Sequence, residues 1–228
     1  MSVSTVPPTL RLFLDCADPP QWTDWLATGL FYGITTNPLL LARSGTACSL
    51  DKLHSLAETA FALGAQEVQL QTWRDTVPAL VERGQQLAAG DRRIVVKVPI
   101  TQLGTLAATK LIQQGIRVTL TAVYAPQQVL MAAALGADYA APYLGRINDL
   151  SGQGRETLVT MQQAIAALLS PTRLLVASIR SIEEVTFLAT QGLNTFTLAP
   201  AIAAEFFNVA ATQQATADFE RAAEQMSQ

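Results

Sequence analysis

The chain has 228 residues, of which 50% are hydrophobic and 14% are charged, a composition typical of a compact globular domain. Its formal net charge is −3 and its arginines are scattered, so it has no basic stripe for a phosphate backbone and a nucleic-acid partner is not expected. The start of the chain lacks a signal-peptide pattern, and no apolar run approaches the roughly 20 residues of a membrane span, which predicts a soluble, cytoplasmic protein without a membrane partner.

Short apolar runs alternate with longer segments of helical periodicity, and no linker divides them, so a single domain spanning residues 1–228 is predicted. The predicted strands span residues 10–15, 30–35, 67–72, 94–100, 116–122, 138–143, 173–178 and 194–199. The predicted helices span residues 19–28, 50–64, 74–88, 102–114, 125–136, 155–169, 181–192 and 200–208, followed by a terminal helix near 213–226.

Eight strand–helix units in this length predict an α/β fold, a single (β/α)8 TIM barrel with an additional C-terminal helix. An open parallel sheet is the alternative. Such a sheet would normally carry a glycine-rich phosphate loop after its first strand, and the chain contains no G-x-G-x-x-G.

Metal ligands of the usual types are scarce. Cys16, Cys48 and His54 are the only cysteines and the only histidine. These residues cannot assemble the usual zinc site, and a Ser-His-Asp triad would have to use His54, which lies in a predicted helix where a surface position is expected. The sequence therefore disfavours metal-dependent and histidine-based chemistry.

Lys97 is one of three lysines, and it lies inside the β-branched run Ile94-Val95-Val96-Lys97-Val98-Pro99-Ile100. A lysine in a buried strand loses hydration and its pKa falls, and the neutral amine is the form that attacks carbonyl groups. The alternative is a strand-end lysine that reaches solvent or pairs with a carboxylate.

Six of the other seven predicted strands also end in or lead directly into polar residues, and a TIM barrel carries its chemistry at these carboxyl ends. Each residue has a structural explanation when taken alone, such as a helix cap at Asp15 or a turn at Asn37. Together they supply an amine, a carboxylate and neutral donors that could hold a water or an oxyanion, which indicates a catalytic site. They are Asp15, Thr35, Asn37, Gln71, Lys97, Thr121, Tyr143, Ser178 and Arg180.

Arg146 and Arg180 add positive charge to the same predicted rim. Ser181 and Glu184 have the spacing of a capping box, which predicts a helix whose free N–H groups face the mouth of the barrel. This combination favours a phosphate site, with two surface arginines as the alternative.

These strand-end motifs resemble those of the transaldolase family, in particular its short branch, which includes fructose-6-phosphate aldolase. The resemblance spans nearly the whole chain, and it implies a (β/α)8 barrel with an imine-forming lysine on strand four, where the order of elements independently places Lys97. It is carried by Leu12-Phe13-Leu14-Asp15, Gly33-Ile34-Thr35-Thr36-Asn37-Pro38, Ile94-Val95-Val96-Lys97-Val98-Pro99, Thr121-Ala122-Val123-Tyr124, Ala141-Pro142-Tyr143-Leu144-Gly145-Arg146 and Ala177-Ser178-Ile179-Arg180.

The resemblance implies sugar phosphates as substrates and no cofactor, because a protonated imine is itself an electron sink. Lys97 would form the imine with the ketose C2 carbonyl, and Asp15 would handle the proton of the hydroxyl whose loss breaks the C3–C4 bond. In the remaining implied roles, Thr35 and Asn37 contact the sugar hydroxyls, Gln71, Thr121 and Tyr143 hold the catalytic water, and Arg146, Ser178 and Arg180 bind the phosphate.

Two positions bear on the branch. Transaldolases proper look to have Glu at the position of Gln71 and Phe at the position of Tyr143. The aldolase branch looks to have Gln and Tyr there, as this chain does. Both residues favour an aldolase that reversibly cleaves fructose 6-phosphate to dihydroxyacetone and glyceraldehyde 3-phosphate. Leu144-Gly145-Arg146 is closer to the transaldolase side, and the comparison assumes that Gln71, and not Gln69, is the matching residue.

Two other functions therefore stay open. One is a transaldolase that passes the three-carbon unit to erythrose 4-phosphate, and the other is an inactive barrel that binds sugar phosphates. In the short branch the terminal helix, here 213–226, packs on a neighbouring subunit of a ring-built decamer, so the resemblance also implies a homo-oligomer.

Overall fold

A computed structural model describes residues 10–227, and these fold into the expected barrel. Eight parallel strands are hydrogen-bonded in the order β7-β6-β5-β4-β3-β2-β1-β8, and a parallel bridge between Val176 and Phe196 joins the two ends. The prediction of a (β/α)8 TIM barrel with a C-terminal helix is confirmed. The strands are β1 (Arg11–Asp15), β2 (Phe31–Thr35), β3 (Glu67–Gln71), β4 (Ile94–Pro99), β5 (Val118–Val123), β6 (Tyr139–Pro142), β7 (Arg173–Leu174) and β8 (Thr195–Leu198).

The helices surround the barrel, and each long one lies within a few residues of its predicted span. They are α1 (Pro19–Ala27), α2 (Pro38–Arg43), α3 (Leu50–Ala62), α4 (Val77–Ala88), α5 (Gln102–Gln113), α6 (Pro126–Leu135), α7 (Leu144–Ser151), α8 (Gly154–Ala167), α9 (Ile182–Thr190), α10 (Pro200–Ala204) and α11 (Ala210–Met226), with a 3-10 turn at Glu205–Phe207. Within residues 10–227, none of these helices is long and apolar enough to cross a membrane.

Two short helices, α2 and α7, were not predicted. The start of α2 is fixed by Asn37, whose side-chain Oδ1 accepts hydrogen bonds from the backbone N–H groups of Leu39 (3.0 Å) and Leu40 (3.1 Å), and Pro38 fills the first turn. Only six residues long, α2 lacks the repeated apolar spacing by which longer helices are recognised.

The seventh strand is shorter than its predicted span of 173–178. Regular pairing covers Arg173–Leu174 only, and Ala177 continues the line through an isolated bridge to Tyr143. Regular pairing cannot extend past this point, because Ser178 has a backbone φ of +58°.

An apolar layer fills the middle of the barrel. Five inward-facing side chains, from β1, β4, β6 and the residue after β7, meet there and are almost completely shielded from solvent, as in other barrels of this type. They are Phe13, Val95, Tyr139, Ala141 and Leu175. Phe13 and Val95 precede Asp15 and Lys97 by two residues on their strands, so this layer lies below the cavity at the carboxyl ends of the strands.

A charged cluster lies below this layer, at the amino ends of the strands. The side chain of Glu67 is fully buried, and its carboxylate pairs with Arg117 (Oε2–Nη2, 2.8 Å). It also accepts hydrogen bonds from the hydroxyl of Tyr139 (3.1 Å) and from Nε2 of Gln69 (2.9 Å). The carboxylate is therefore fully engaged, as a buried charge requires.

The single histidine has a structural position. His54 is half-buried rather than on the surface as expected, because its Nε2 lies 3.0 Å from the backbone oxygen of Gln86, near the end of α4. Helix α4 runs opposite to the strands, so this contact lies at the far end of the barrel from the strand carboxyl ends.

Candidate active site

A cavity of about 370 Å³ opens at the carboxyl ends of the strands, the usual place for a TIM-barrel active site. It combines polar and charged groups with an apolar wall that α2 provides. Of the residues predicted from the sequence, those that line it are Asp15, Asn37, Gln71, Lys97, Tyr143, Arg146 and Ser178. The remaining lining residues are Pro38, Leu39, Leu40, Arg43, Ala122 and Ala177.

Lys97 lies at the base of this cavity with only 4% of its surface exposed. The flanking residues Val96 and Val98 pack on the outside of the barrel, so the lysine points inward, where its Nζ donates a hydrogen bond to the backbone oxygen of Thr36 (3.0 Å). Burial lowers the pKa of Lys97, and the nearby Asp15 carboxylate opposes part of this effect. The residue therefore combines access to the cavity with a pKa that favours the neutral, nucleophilic amine.

The carboxyl group of Asp15 is held in place by a threonine. Thr35 is fully buried, and its Oγ1 donates to Oδ1 of Asp15 (2.8 Å) while lying 2.6 Å from Oγ1 of Thr197. Burial raises the pKa of Asp15, and the charge of Lys97 opposes the rise. A carboxyl group with a raised pKa can exchange a proton with a substrate hydroxyl. Thr35 thus orients Asp15 from below the cavity and is not part of its lining.

Tyr143 and Thr121 form a hydroxyl pair above the lysine. The oxygen of Tyr143 lies 2.9 Å from Oγ1 of Thr121, and burial raises the pKa of the phenol, which keeps it protonated. Strand β5 has a register shift between Thr121 and Val123, where Ala122 adopts a φ of +61°. Strained backbone of this kind costs about 1–3 kcal/mol and is concentrated at functional sites.

The structure separates the two glutamines of β3. Gln71 lines the cavity. Gln69, two residues earlier on the same face of the strand, is fully buried, where it donates to Glu67 and accepts a hydrogen bond from Thr119 (2.8 Å). Gln71 is therefore the glutamine that can reach a bound substrate.

Arg146 is held at the mouth by aromatic residues. Its guanidinium lies 4.9 Å from the ring centre of Tyr143, and its Nη1 donates to the hydroxyl of Tyr124 (3.3 Å). The helix that carries it packs tightly against the segment that follows β7, since a Cβ on Gly145 would lie 2.5 Å from the backbone oxygen of Ser178. Gly145 thus brings Arg146 and Ser178 to the same side of the cavity.

Arg180 lies outside the cavity lining. Its Nη1 donates to Oδ1 of Asp149 (2.7 Å) in a two-fold ion pair that is more than half exposed. The helix after it begins at the predicted place, but the predicted capping box is wrong, because Ser181 makes no capping hydrogen bond and the N–H of Ile182 is bound by Glu205 instead (2.9 Å).

Helix α2 contributes residues that were not predicted. Pro38, Leu39 and Leu40 form one wall of the cavity, and Arg43 lies in the last turn of the helix. The sequence does contain a signal for this helix, because Asn37-Pro38 is a favourable helix start. A helix that begins there, directly after β2, places its first turn at the mouth of the barrel.

The low pKa of Lys97 can be measured directly. We expect the Lys97 amine to titrate at a lower pH than an ordinary lysine, whose pKa is about 10.4, because burial disfavours the ammonium. As pH rises, the neutral amine then forms earlier. Labelling of lysine Cε with ¹³C gives one NMR signal per lysine, and Lys52→Arg and Lys110→Arg assign the other two. A midpoint at or above the ordinary value would contradict this expectation.

The fold and the cavity together define a class of protein, the TIM-barrel enzymes that place polar groups at the strand carboxyl ends. A family model described as "Transaldolase/Fructose-6-phosphate aldolase" matches residues 12–228, so the chain belongs to this family. It is an enzyme of the aldolase and transaldolase type.

Similar curated proteins cover most of the chain. A "Probable transaldolase" of Thermus thermophilus is 34% identical over 201 residues, which is 85% of this chain and 88% of that protein. A "Probable transaldolase" of Caulobacter sp. (strain K31) is 31% identical over 210 residues, 92% of this chain and 94% of that protein.

A solved structure with the same fold is the inosine 5' monophosphate dehydrogenase of Legionella pneumophila. Its TM-score is 0.61 with 8% sequence identity, and the match covers 89% of this chain and 65% of that one. At this identity the likeness supports the barrel fold and carries no information about the reaction.

Proposed function

We propose that the protein is a metal-independent class I aldolase that reversibly cleaves fructose 6-phosphate to dihydroxyacetone and glyceraldehyde 3-phosphate through an imine at Lys97. The observation that carries this proposal is the position of Lys97, a buried amine at the base of the cavity beside Asp15. A desolvated lysine next to a carboxyl group is the arrangement that imine chemistry requires.

In the proposed reaction, the amine of Lys97 adds to the C2 carbonyl and water leaves as the imine forms. The C3–C4 bond then breaks, its electron pair enters the protonated imine to give an enamine, and the proton of the C4 hydroxyl passes to Asp15. The hydrogen bond from Thr35 holds one oxygen of Asp15, so the other oxygen is available for this proton.

Release of dihydroxyacetone needs a proton on the enamine carbon and then hydrolysis of the imine. We assign proton delivery to Tyr143, through a water held with Thr121 and Gln71, because the phenol is kept protonated and is hydrogen-bonded to Thr121. Asn37 would contact the sugar hydroxyls through its amide nitrogen, since its oxygen caps α2.

The phosphate of the substrate would bind on the side of the cavity that Arg146 and Ser178 line. Arg180 would join them only by exchanging Asp149 for the phosphate. Because this ion pair is exposed, its contribution to stability is small, and the exchange costs little.

A transaldolase is the second candidate, because the similar proteins of Thermus and Caulobacter bear that description. The motif Leu144-Gly145-Arg146 is also closer to the transaldolase branch of the family. The close approach of the Ser178 oxygen to Gly145 gives this glycine a packing reason of its own, which reduces its weight as a marker of the branch.

Release of glyceraldehyde 3-phosphate from fructose 6-phosphate, with and without erythrose 4-phosphate, separates the two candidates. We expect release without the acceptor. Tyr143→Phe should lower acceptor-independent release by about tenfold or more, because it removes the proton donor, and should preserve transfer to erythrose 4-phosphate. Gln71→Glu is a second variant with the same expected direction.

Two outcomes would oppose this proposal. If the unmodified protein releases glyceraldehyde 3-phosphate only when erythrose 4-phosphate is present, the enzyme is a transaldolase. An equal loss of both activities in Tyr143→Phe would mean that the phenol serves an earlier step common to both reactions.

We further propose a homo-oligomer, a decamer in the form that the family resemblance implies, in which α11 packs on a neighbouring copy. No residue of this helix is buried, and its Phe219 and Met226 are 71% and 88% exposed. A mass determination in solution tests this.

We also propose a cytoplasmic location. The two free thiols, Cys16 and Cys48, are consistent with it.

A further inference from the structure

The phosphate side of the barrel mouth carries a carboxylate as well as two arginines. Arg146 and Asp149 are three residues apart on α7, so their side chains leave the same face of the helix. Arg180 lies in the segment between β7 and α9, and its guanidinium contacts Asp149. Two cations and one anion therefore meet on the side where the proposed function places the phosphate of the substrate.

The side chain of Arg180 runs close to the cavity before it reaches Asp149. A Cβ on Gly145 would lie 2.7 Å from Nε of Arg180 and 3.1 Å from Oγ of Ser178, which lines the cavity. Arg180 thus passes beside Ser178 and over the residue that precedes Arg146. A side chain at position 145 would occupy the space through which the arginine runs, so the glycine brings Arg180 within reach of a phosphate at Ser178 and Arg146.

The guanidinium of Arg180 is held by Asp149. Its Nη1 donates to Oδ1 of the carboxylate (2.7 Å) and its Nη2 donates to Oδ2, a two-fold contact that two phosphate oxygens could make equally well. Both side chains are more than half exposed, so solutes reach the pair from solvent. Arg146, in contrast, forms no ion pair within residues 10–227, where its guanidinium contacts Tyr124 and Tyr143.

A phosphate is well suited to displace this carboxylate. An exposed ion pair is exchanged readily, because water and salt screen its attraction. A phosphate offers Arg180 the same pair of oxygens with more negative charge, and at this place it gains Arg146 and Ser178 as further partners. Asp149 and the phosphate therefore compete for one guanidinium, and their like charges also repel each other.

We propose that Asp149 is a specificity-determining residue, an internal competitor that occupies Arg180 while no phosphate is bound and thereby sets how tightly the enzyme holds phosphorylated substrates. This inference rests on the phosphate site of the proposed function and does not depend on the imine. Asp149 acts through Arg180 and does not touch the substrate. Removal of its charge should therefore strengthen phosphate binding, whereas removal of Arg180 should weaken it.

Binding of glycerol 3-phosphate tests this without turnover. The compound has the three-carbon chain and terminal phosphate of glyceraldehyde 3-phosphate, and it has no carbonyl to react with Lys97. Isothermal titration calorimetry at about 0.15 M salt gives its Kd for the unmodified protein, Asp149→Asn, Arg180→Ala and the double variant. Asp24→Asn is the matched control, because Asp24 is an exposed helical aspartate with no side-chain partner within residues 10–227, and its loss changes the net charge equally.

We expect Asp149→Asn to lower the Kd by about three- to fivefold, the range that release of an exposed ion pair predicts. Arg180→Ala should raise the Kd. In that background Asp149→Asn should change it by less than about twofold, since no guanidinium remains to be released. Asp24→Asn should leave the Kd unchanged. Borohydride trapping of dihydroxyacetone, which has no phosphate, should give the same adduct in Asp149→Asn as in the unmodified protein.

Several results would overturn the role of Asp149. An unchanged or higher Kd in Asp149→Asn would mean that the carboxylate does not compete. An equal gain with and without Arg180 would mean that Asp149 acts only by repelling the phosphate. Absence of binding in every variant would refute the phosphate site together with the competition.

A failure of the proposed imine looks different. If borohydride traps no adduct at Lys97 with dihydroxyacetone or fructose 6-phosphate, the imine is refuted. The Kd values for glycerol 3-phosphate do not depend on that result, and they still decide whether Asp149 competes for Arg180.

Discussion

Replacing Lys97 with methionine is expected to lower kcat/KM for fructose 6-phosphate by at least about 10⁴-fold, because the variant has no amine to form the imine. The same change should raise stability, since a buried ammonium is costly and methionine fills the space with an apolar chain. Steady-state kinetics and urea unfolding of the same preparation measure both effects.

The other two lysines provide the control. Lys52 and Lys110 are exposed, and their replacement by methionine should leave kcat/KM unchanged. Activity of Lys97→Met within a hundredfold of the unmodified protein would exclude an obligatory imine at this position. A large loss of stability together with the loss of activity would contradict the expected gain, and would mean that the charge of Lys97 stabilises the folded protein.

Replacing Glu67 with glutamine is expected to lower the free energy of unfolding by about 3 kcal/mol, because it leaves the charge of Arg117 without its buried partner. The carboxylate accepts hydrogen bonds from Tyr139 and Gln69 as well, and the new amide group would place a donor against those donors. Urea unfolding measures the change, and the activity of the remaining folded protein should be close to normal.

Asp138→Asn is the matched control for this experiment. Asp138 pairs with the same arginine (2.8 Å), but its side chain is 31% exposed, so its loss should cost about 1 kcal/mol or less. Equal effects of the two variants would contradict the view that the buried position of Glu67 determines its contribution.

The barrel could be predicted from the sequence because its signals are local. The run around Lys97 has the β-branched residues of a buried strand, and its neighbours along the chain have helical spacing. The same local signals placed Lys97 and Gln71 at the carboxyl ends of β4 and β3, where both line the cavity.

The parts that could not be predicted depend on pairs that are distant in the chain. Nothing near Arg180 indicates that Asp149, 31 residues earlier, would occupy its guanidinium. The sequence placed Thr35 at a strand end and assigned it a contact with the substrate. In the structure its hydroxyl instead contacts Thr197, 162 positions away in the chain, and supports Asp15. Such pairing is fixed by the closure of the barrel and not by local sequence.

The apolar layer of Phe13, Val95 and their neighbours has a consequence for how the protein can change. The side chains that shift the pKa values of Lys97 and Asp15 lie in or next to the cavity at the carboxyl ends of the strands, and the charges around Glu67 are not among them. The acid–base groups at the carboxyl ends of the strands and the ion pairs at the opposite end of the barrel are therefore separate sets of residues. Substitutions that retune the acid–base chemistry, or adapt the mouth to a new donor, can then accumulate without drawing on the stability supplied at the other end.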